Sequence, residues 1–200
     1  MQNEQAPILV DEPLFFSEAH KLILILLISV CLLIGGWFCW TSYLSHQEEE
    51  VHRQSVLAKS PEEKRKVADQ NKGTAQAAFI YLNLAHAALE SKPQEALDLY
   101  EIVIAQYPHH LLVNAAQLGK GKALEQLQKP QEAMAVYQKI AQVKKGDAYV
   151  PLAILNLSRL QLAQGQWTEA RQSLQDLLIG YSDYAIEAKE RLKMIPEKKS

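Results

Sequence analysis

The chain has 200 residues, 48% of them hydrophobic, and a formal net charge of -2. A nucleic-acid-binding protein needs an excess of Lys and Arg to neutralise phosphates, and this chain has none, so we expect no nucleic acid partner. Both cysteines, Cys31 and Cys39, fall inside one apolar run. The polar remainder therefore has no thiol for a disulfide, a metal site or a nucleophile.

The N-terminal region combines an acidic tail with a long apolar run. Residues 1–20 contain four acidic residues and no Lys or Arg, and residues 22–40 contain no charged residue. At 1.5 Å per residue, about 19 helical residues approach the ~30 Å thickness of a bilayer core. We predict a transmembrane helix over 21–43 that contacts lipid through 22–40. A cleaved signal peptide is the alternative, which the acidic tail and the length of the run disfavour.

Aromatic residues cluster at the C-terminal end of the apolar run. Trp37, Trp40 and Tyr43 suit the headgroup level of a membrane, where amphipathic rings are enriched, so we predict them at the membrane interface. Lys21 precedes the run, while Arg53 and Lys59 follow it. This balance is too small for the positive-inside rule to fix the orientation.

Residues 44–73 are polar and densely charged, and we predict a partly helical stalk that ends in a loop near Gly73. After it, the sequence repeats itself. The pentapeptide Lys92–Ala96 recurs letter for letter as Lys129–Ala133, 37 residues later, and the pair Glu169–Ala170 keeps the same register once more. Such a period indicates stacked helical units.

Each unit has the apolar spacing of two helices, separated by a break and often a proline. We predict an all-α fold for residues 74–195: an α-solenoid of about three hairpins closed by a C-terminal capping helix, with residues 196–200 as a disordered tail. The predicted helices are 75–90, 94–106, 112–127, 130–143, 150–163, 167–179 and 184–194.

The residues at the repeated positions resemble the tetratricopeptide repeat. Small residues occur at Ala96, Ala133 and Ala170, and a large residue follows four positions later in each unit. Gly121 also stands where that repeat prefers glycine, although Leu84 and Ser158 replace it in the other two units. The period of 37 exceeds the usual 34, which implies lengthened hairpins. The resemblance implies a surface that binds other proteins.

A narrower resemblance concerns the anchor. The segment Gly36-Trp37-Phe38-Cys39-Trp40-Thr41-Ser42, followed by His46-Gln47 and helical repeats, is similar to the YfgM-like family of ancillary subunits of the bacterial Sec translocon. This resemblance implies an inner-membrane protein with a cytoplasmic N-terminus, a periplasmic repeat domain, and translocon subunits or exported proteins as partners. The segment from Gly180 to Ile195 also resembles repeats of envelope-assembly and cell-division proteins, so a scaffold of another envelope complex is the alternative.

Features that could carry chemistry are weak. Gly119-Lys120-Gly121-Lys122 lacks the Ser or Thr of a phosphate-binding loop, because Ala123 follows, and the stretch is predicted to be helical. His109 and His110 occupy a predicted turn with no further metal ligand near them in sequence. We therefore predict no catalytic residue, no cofactor and no metal site, and we regard an enzyme as the least favoured function.

The first helices of stacked hairpins form the surface on which such repeats hold a partner. Aligning the units predicts a mainly apolar partner groove with two cations that could engage an acidic side chain or a C-terminal carboxylate. The leucines are equally compatible with burial against the stalk or a second copy, and a homo-oligomer stays open. The groove residues are Tyr81, Ala85, Leu118, Lys122, Leu152, Leu155 and Arg159.

Overall fold

The structure is a computed structural model that describes residues 18–143 and 147–196. The chain divides into two units between Gln47 and Glu48. Residues 1–17 and 197–200 lie outside the described residues. The expectations of an acidic tail over 1–20 and a disordered tail over 196–200 therefore stay predictions for those positions.

The first unit consists, among its described residues, of most of one long helix, α1 (Glu18–Leu57). This helix is long and apolar enough to cross a membrane, and no part of its most apolar window is buried. Trp37, Trp40 and Tyr43 are exposed on it. A helix that is apolar on all sides and uncovered by protein has the surface that lipid can solvate.

The second unit contains the end of α1 and a run of further helices, each packed on the next along the chain. The three predicted hairpins and the C-terminal helix are all present, with ends within about two residues of their expected positions. The described helices are α2 (Pro61–Gln70), α3 (Ala75–Ala88), α4 (Pro93–Gln106), α5 (Val113–Gln126), α6 (Pro130–Ala141), α7 (Val150–Ala163), α8 (Trp167–Gly180) and α9 (Ala185–Lys193).

Local sequence signals explain where these helices begin. At α2, the Ser60 hydroxyl accepts a hydrogen bond from the Glu63 N–H at 3.1 Å, and the Glu63 carboxylate accepts from the Ser60 N–H, which completes a capping box. Thr74 caps α3 by accepting a hydrogen bond from the Ala77 N–H at 3.1 Å, without a reciprocal bond. Pro93 and Pro130 open α4 and α6, where a proline's missing N–H removes no helical hydrogen bond.

The repeated positions form the core. The three alanines at the 37-residue spacing are fully buried in the second helices, as are the large residues four positions later and the aliphatic residues after those. An alanine lets a neighbouring helix approach closely, while the large side chain fills the space beside it. These core positions are Ala96, Ala133 and Ala170; Tyr100, Tyr137 and Leu174; and Val103, Ile140 and Leu177.

Residues that we expected in a separate stalk pack on the first hairpin. Val51 at the end of α1 and Ala68 in α2 belong to the main core. The Tyr81 hydroxyl donates a hydrogen bond of 2.7 Å to Asp69 Oδ1, which ties α3 to α2. The compact unit that contains the hairpins begins at Glu48.

The buried side chains of the second unit form two clusters that meet at α7. The larger one extends from Val51 to Leu160, and the smaller one joins one side of α7 to α8, α9 and Ile195. Arg191 fixes α9, because its Nη1 donates to the Leu155 carbonyl oxygen at 2.5 Å and lies 3.5 Å from Ser158 Oγ. α9 therefore covers the last hairpin, as a capping helix is expected to do.

Candidate functional site

Four of the seven residues predicted to line a partner groove lie inside the protein. Tyr81 and Ala85 are fully buried, and Leu118 and Leu155 are almost fully buried. They pack in the interior of the second unit, Leu155 in the smaller cluster and the other three in the larger one. None of the four can contact a partner in this arrangement, which corrects the expected lining.

The other three predicted groove residues, Lys122, Leu152 and Arg159, are exposed. Arg159 Nη2 lies 2.5 Å from Glu125 Oε2, and the Tyr137 hydroxyl donates to Glu125 Oε1 at 2.7 Å. The Arg159 charge therefore belongs to a network that links α7, α5 and α6. A reversal of this charge would cost stability as well as any binding, because it would place two carboxylates side by side.

Lys122 acts electrostatically on His86, whose ring packs against Tyr100. Burial, and secondarily the Lys122 charge, lowers the pKa of His86. The His86 ring meets the Tyr100 ring edge-on with centroids 5.6 Å apart. The Tyr100 hydroxyl is buried without a hydrogen-bond partner among the described residues, and burial raises the pKa of Tyr100 to about 12.

Two glycines of α5 allow tyrosines to approach its backbone. A Cβ at Gly119 would lie 2.3 Å from Tyr100 Cζ, and one at Gly121 would lie 2.3 Å from Tyr137 Cε1. Such distances are far below van der Waals contact, so either glycine could gain a side chain only if a buried ring moved. Gly119-Lys120-Gly121-Lys122 thus serves helix packing inside α5, as its helical prediction implied.

An open groove occurs elsewhere on the second unit, between the last turns of α1, the start of α2 and one face of α3. We call it the N-terminal groove, and its volume is about 440 Å³. Its apolar surface includes two side chains that remain largely in solvent, Phe79 at 48% exposure and Val56 at 69%. The residues that line it include Val56, Lys59, Lys64, Phe79, Ile80 and Leu84.

Hydrogen bonds hold the walls of the N-terminal groove in place. Both carboxylate oxygens of Glu48 accept backbone N–H bonds at the start of α3, from Ala75 at 2.7 Å and from Gln76 at 2.8 Å. A carboxylate at this position satisfies two free N–H groups and meets the positive end of the helix dipole. Gln76 Nε2 also lies 3.1 Å from His52 Nδ1. The end of α1 is thereby fixed against α3.

This groove could hardly be predicted from the sequence. Its residues come from three segments that the 37-residue repeat does not relate to one another. One wall is the end of α1, which the sequence analysis assigned to the stalk. The one readable signal is Phe79, a large apolar residue that aligns with the buried Ala116 of the second hairpin but stays half exposed. Its neighbour Ile80 is buried, so the face of α3 that carries Phe79 is only partly covered.

The predicted turn histidines are not assembled into a site. His110 Nδ1 lies 3.2 Å from the Leu112 backbone nitrogen, which places its ring against the start of α5. Within residues 18–143 and 147–196, no three His, Cys, Asp or Glu side chains come together as metal ligands would.

Comparison with known protein families gives a match over most of the second unit. Residues 67–189 match the family model described as tetratricopeptide repeat-like domain. The match begins within α2 and ends within α9, so it covers all three hairpins. No curated protein and no solved structure matches the chain.

Proposed function

Because the chain belongs to the tetratricopeptide repeat-like domain family, we propose that it is a membrane-anchored scaffold that binds other proteins and has no catalytic activity of its own. The stack of three hairpins in residues 67–189 carries this proposal. Stacked hairpins bury their own cores and leave extended helix faces for a partner segment.

The anchor in this proposal is α1. Its length, its apolar composition and the exposure of its most apolar window support a single membrane span over 21–43, with Trp37, Trp40 and Tyr43 at one interface. The resemblance of the Gly36–Ser42 segment supports the bacterial inner membrane as location, with the N-terminus in the cytoplasm and the repeats in the periplasm. The same resemblance favours translocon subunits or exported chains as partners.

Two measurements test the anchor and its orientation. The full chain should stay in the membrane fraction after carbonate extraction. In intact spheroplasts, added protease should cleave the repeats and leave a protected N-terminal fragment. Extraction into the soluble fraction would refute the anchor, and protection of the repeats would place them in the cytoplasm.

Site-specific photocrosslinking tests the scaffold function. A photoreactive residue at Lys122 or Leu152 should give crosslinks to the same partner in living membranes, whereas one at Ile186 on α9 serves as the control. Crosslinks to translocon subunits or secretory chains would support the primary assignment. A division or outer-membrane assembly protein would support the alternative that the Gly180–Ile195 resemblance suggests, and no crosslink from either exposed position would refute a scaffold that uses this face.

A further inference from the structure

We infer that the N-terminal groove binds an acidic, amphipathic helical segment of another protein. The inference rests on the proposed scaffold function and deepens it, because it names where a partner binds and which chemistry it carries. Three observations lead to it: the charge of the rim, the course of the apolar floor and the fixed walls.

The charge of the rim comes first. Lys59 and Lys64 line the groove, and none of the described residues that line it is acidic. The two carboxylates that precede Lys64 in sequence do not line the groove: Glu63 accepts the Lys59 backbone N–H at 2.7 Å, and Glu62 lines a neighbouring pocket. The rim therefore offers two ammonium groups to an anionic partner.

The floor follows a single helix face. Phe79, Ile80, Leu84 and Ala87 recur at helical spacing along α3, and Gln76 extends the same face toward the N-terminus. From Gln76 to Ala87 this face is roughly 16 Å long at 1.5 Å per residue. That length fits about three turns of a second helix, and an apolar stripe flanked by acidic side chains would match both floor and rim.

The walls are fixed before a partner arrives. Glu48 holds the end of α1 on α3, the Ser60 capping box sets the start of α2, and the Tyr81 hydroxyl joins α3 to Asp69. A preformed groove loses little conformational entropy on binding. Phe79 and Val56 already stand in solvent, so a partner can cover them without any rearrangement.

A protein segment fits this groove better than an anionic lipid headgroup. A headgroup needs hydrogen-bond donors converging at the bottom of its site, and here the bottom is formed by Phe79, Ile80 and Leu84 while the cations stand at the side. The lipid alternative is an outcome of the test below.

Fluorescence anisotropy with the full-length chain in detergent micelles tests the inference. The probe is a labelled 14-residue helical peptide with Leu and Phe at i, i+3, i+4 and i+7 and Glu on its other faces. A matched peptide carries Lys in place of Glu. We expect saturable binding of the acidic peptide and at least tenfold weaker binding of the basic one, with affinity falling as salt rises.

Variants locate the binding. Lys59→Glu with Lys64→Glu, and separately Phe79→Asp, should each raise the Kd of the acidic peptide at least tenfold. The controls are Lys139→Glu with Lys189→Glu, which makes the same change in net charge, and Ile186→Asp, which alters another exposed apolar residue. Both controls should leave the Kd within twofold. Circular dichroism of every variant verifies that the helices are intact.

The outcomes separate clearly. Equal binding of the two peptides, or a Kd unchanged by the groove variants, would overturn the inference. The inference would also be overturned if the groove variants abolished binding to phosphatidylglycerol vesicles but not to the peptide, because the groove would then bind lipid. It would be overturned as well if the groove variants converted a dimer of the chain into monomers, because the groove would then bind a second copy. Peptide binding can fail while crosslinks at Lys122 and Leu152 persist, and then the scaffold function stands without this groove.

Discussion

Tyr100 and Tyr137 occupy equivalent positions but have different hydrogen bonds. Tyr137 donates to Glu125, and the residue that corresponds to Glu125 in the first hairpin is Ala88. Tyr100 therefore has the same buried ring without the carboxylate, which explains its unpaired hydroxyl. A buried hydroxyl without a partner costs free energy that the ring's packing must offset.

Tyr100→Phe should leave the melting temperature unchanged or raise it, because the variant removes an unpaired polar atom and keeps the ring. Tyr137→Phe should lower the free energy of unfolding by about 1–2 kcal/mol, because Glu125 loses a donor but keeps Arg159. Thermal unfolding of the full chain in detergent compares the two variants. A larger loss in Tyr100→Phe than in Tyr137→Phe would show that Tyr100 has a hydrogen-bond partner.

The turns between paired helices show a second difference at the same period. Gln128 has φ 58° and Gly165, 37 residues later, has φ 72°. A left-handed conformation is unfavourable for a residue with a Cβ but not for glycine.

Gln128→Gly should therefore stabilise the chain by about 0.5–1 kcal/mol, reduced by the extra freedom that glycine has when unfolded. Gly165→Gln should destabilise it by a similar amount. Chemical unfolding of the two variants measures whether each one raises or lowers the free energy of unfolding. A loss of stability in Gln128→Gly would mean that contacts of the glutamine side chain outweigh its backbone strain.

At the scale of elements, the start of α3 depends on a residue far away in sequence. The local cap Thr74 accepts only the Ala77 N–H, and Glu48 accepts the two N–H groups before it, those of Ala75 and Gln76. It reaches α3 from α1, so the two helices become interdependent.

Glu48→Ala should reduce stability by about 1 kcal/mol and speed amide hydrogen exchange in residues 51–57 and in the first turn of α3. Glu49→Ala is the matched control, since Glu49 is exposed on the same helix. Amide hydrogen exchange in detergent, detected by mass spectrometry, measures the exchange rate of each segment separately. Equal exchange in the two variants would mean that packing of Val51 alone holds the end of α1.

Helix positions were readable from the sequence because they rest on local signals. The prolines at 93 and 130, the apolar spacing and the verbatim pentapeptide each predict structure within one hairpin, and the hairpins confirmed them. The groove lining could not be predicted, because aligning the units does not show which face of a first helix packs on its neighbours. The aligned residues Tyr81, Leu118 and Leu155 are buried in all three hairpins. At the next aligned position Ala85 is buried, while Lys122 and Arg159 are exposed.

At the scale of the whole second unit, the two core clusters predict two steps of unfolding. Helices that contact only their neighbours along the chain can lose structure from one end, and the smaller cluster at the C-terminal end has fewer buried side chains. α7 contributes one side to each cluster, with Ala153 and Leu157 in the larger and Ile154 in the smaller.

Residues 167–195 should therefore lose amide protection at lower urea concentration than residues 93–140. Hydrogen exchange of the full chain across a urea series tests this order. Arg191→Ala should widen the gap between the two regions, because it removes the bonds from α9 to α7, whereas Lys193→Ala should not. Simultaneous loss of protection in both regions would show a single cooperative unit.

The shared helix α7 also has a mechanical consequence. Tension applied through the C-terminal end would reach the smaller cluster first, and α9 and α8 could detach while α7 stays seated on α6. The hairpins that carry Lys122 and the N-terminal groove would keep their shape during such a pull. The last hairpin would then unfold under force before the binding surfaces deform.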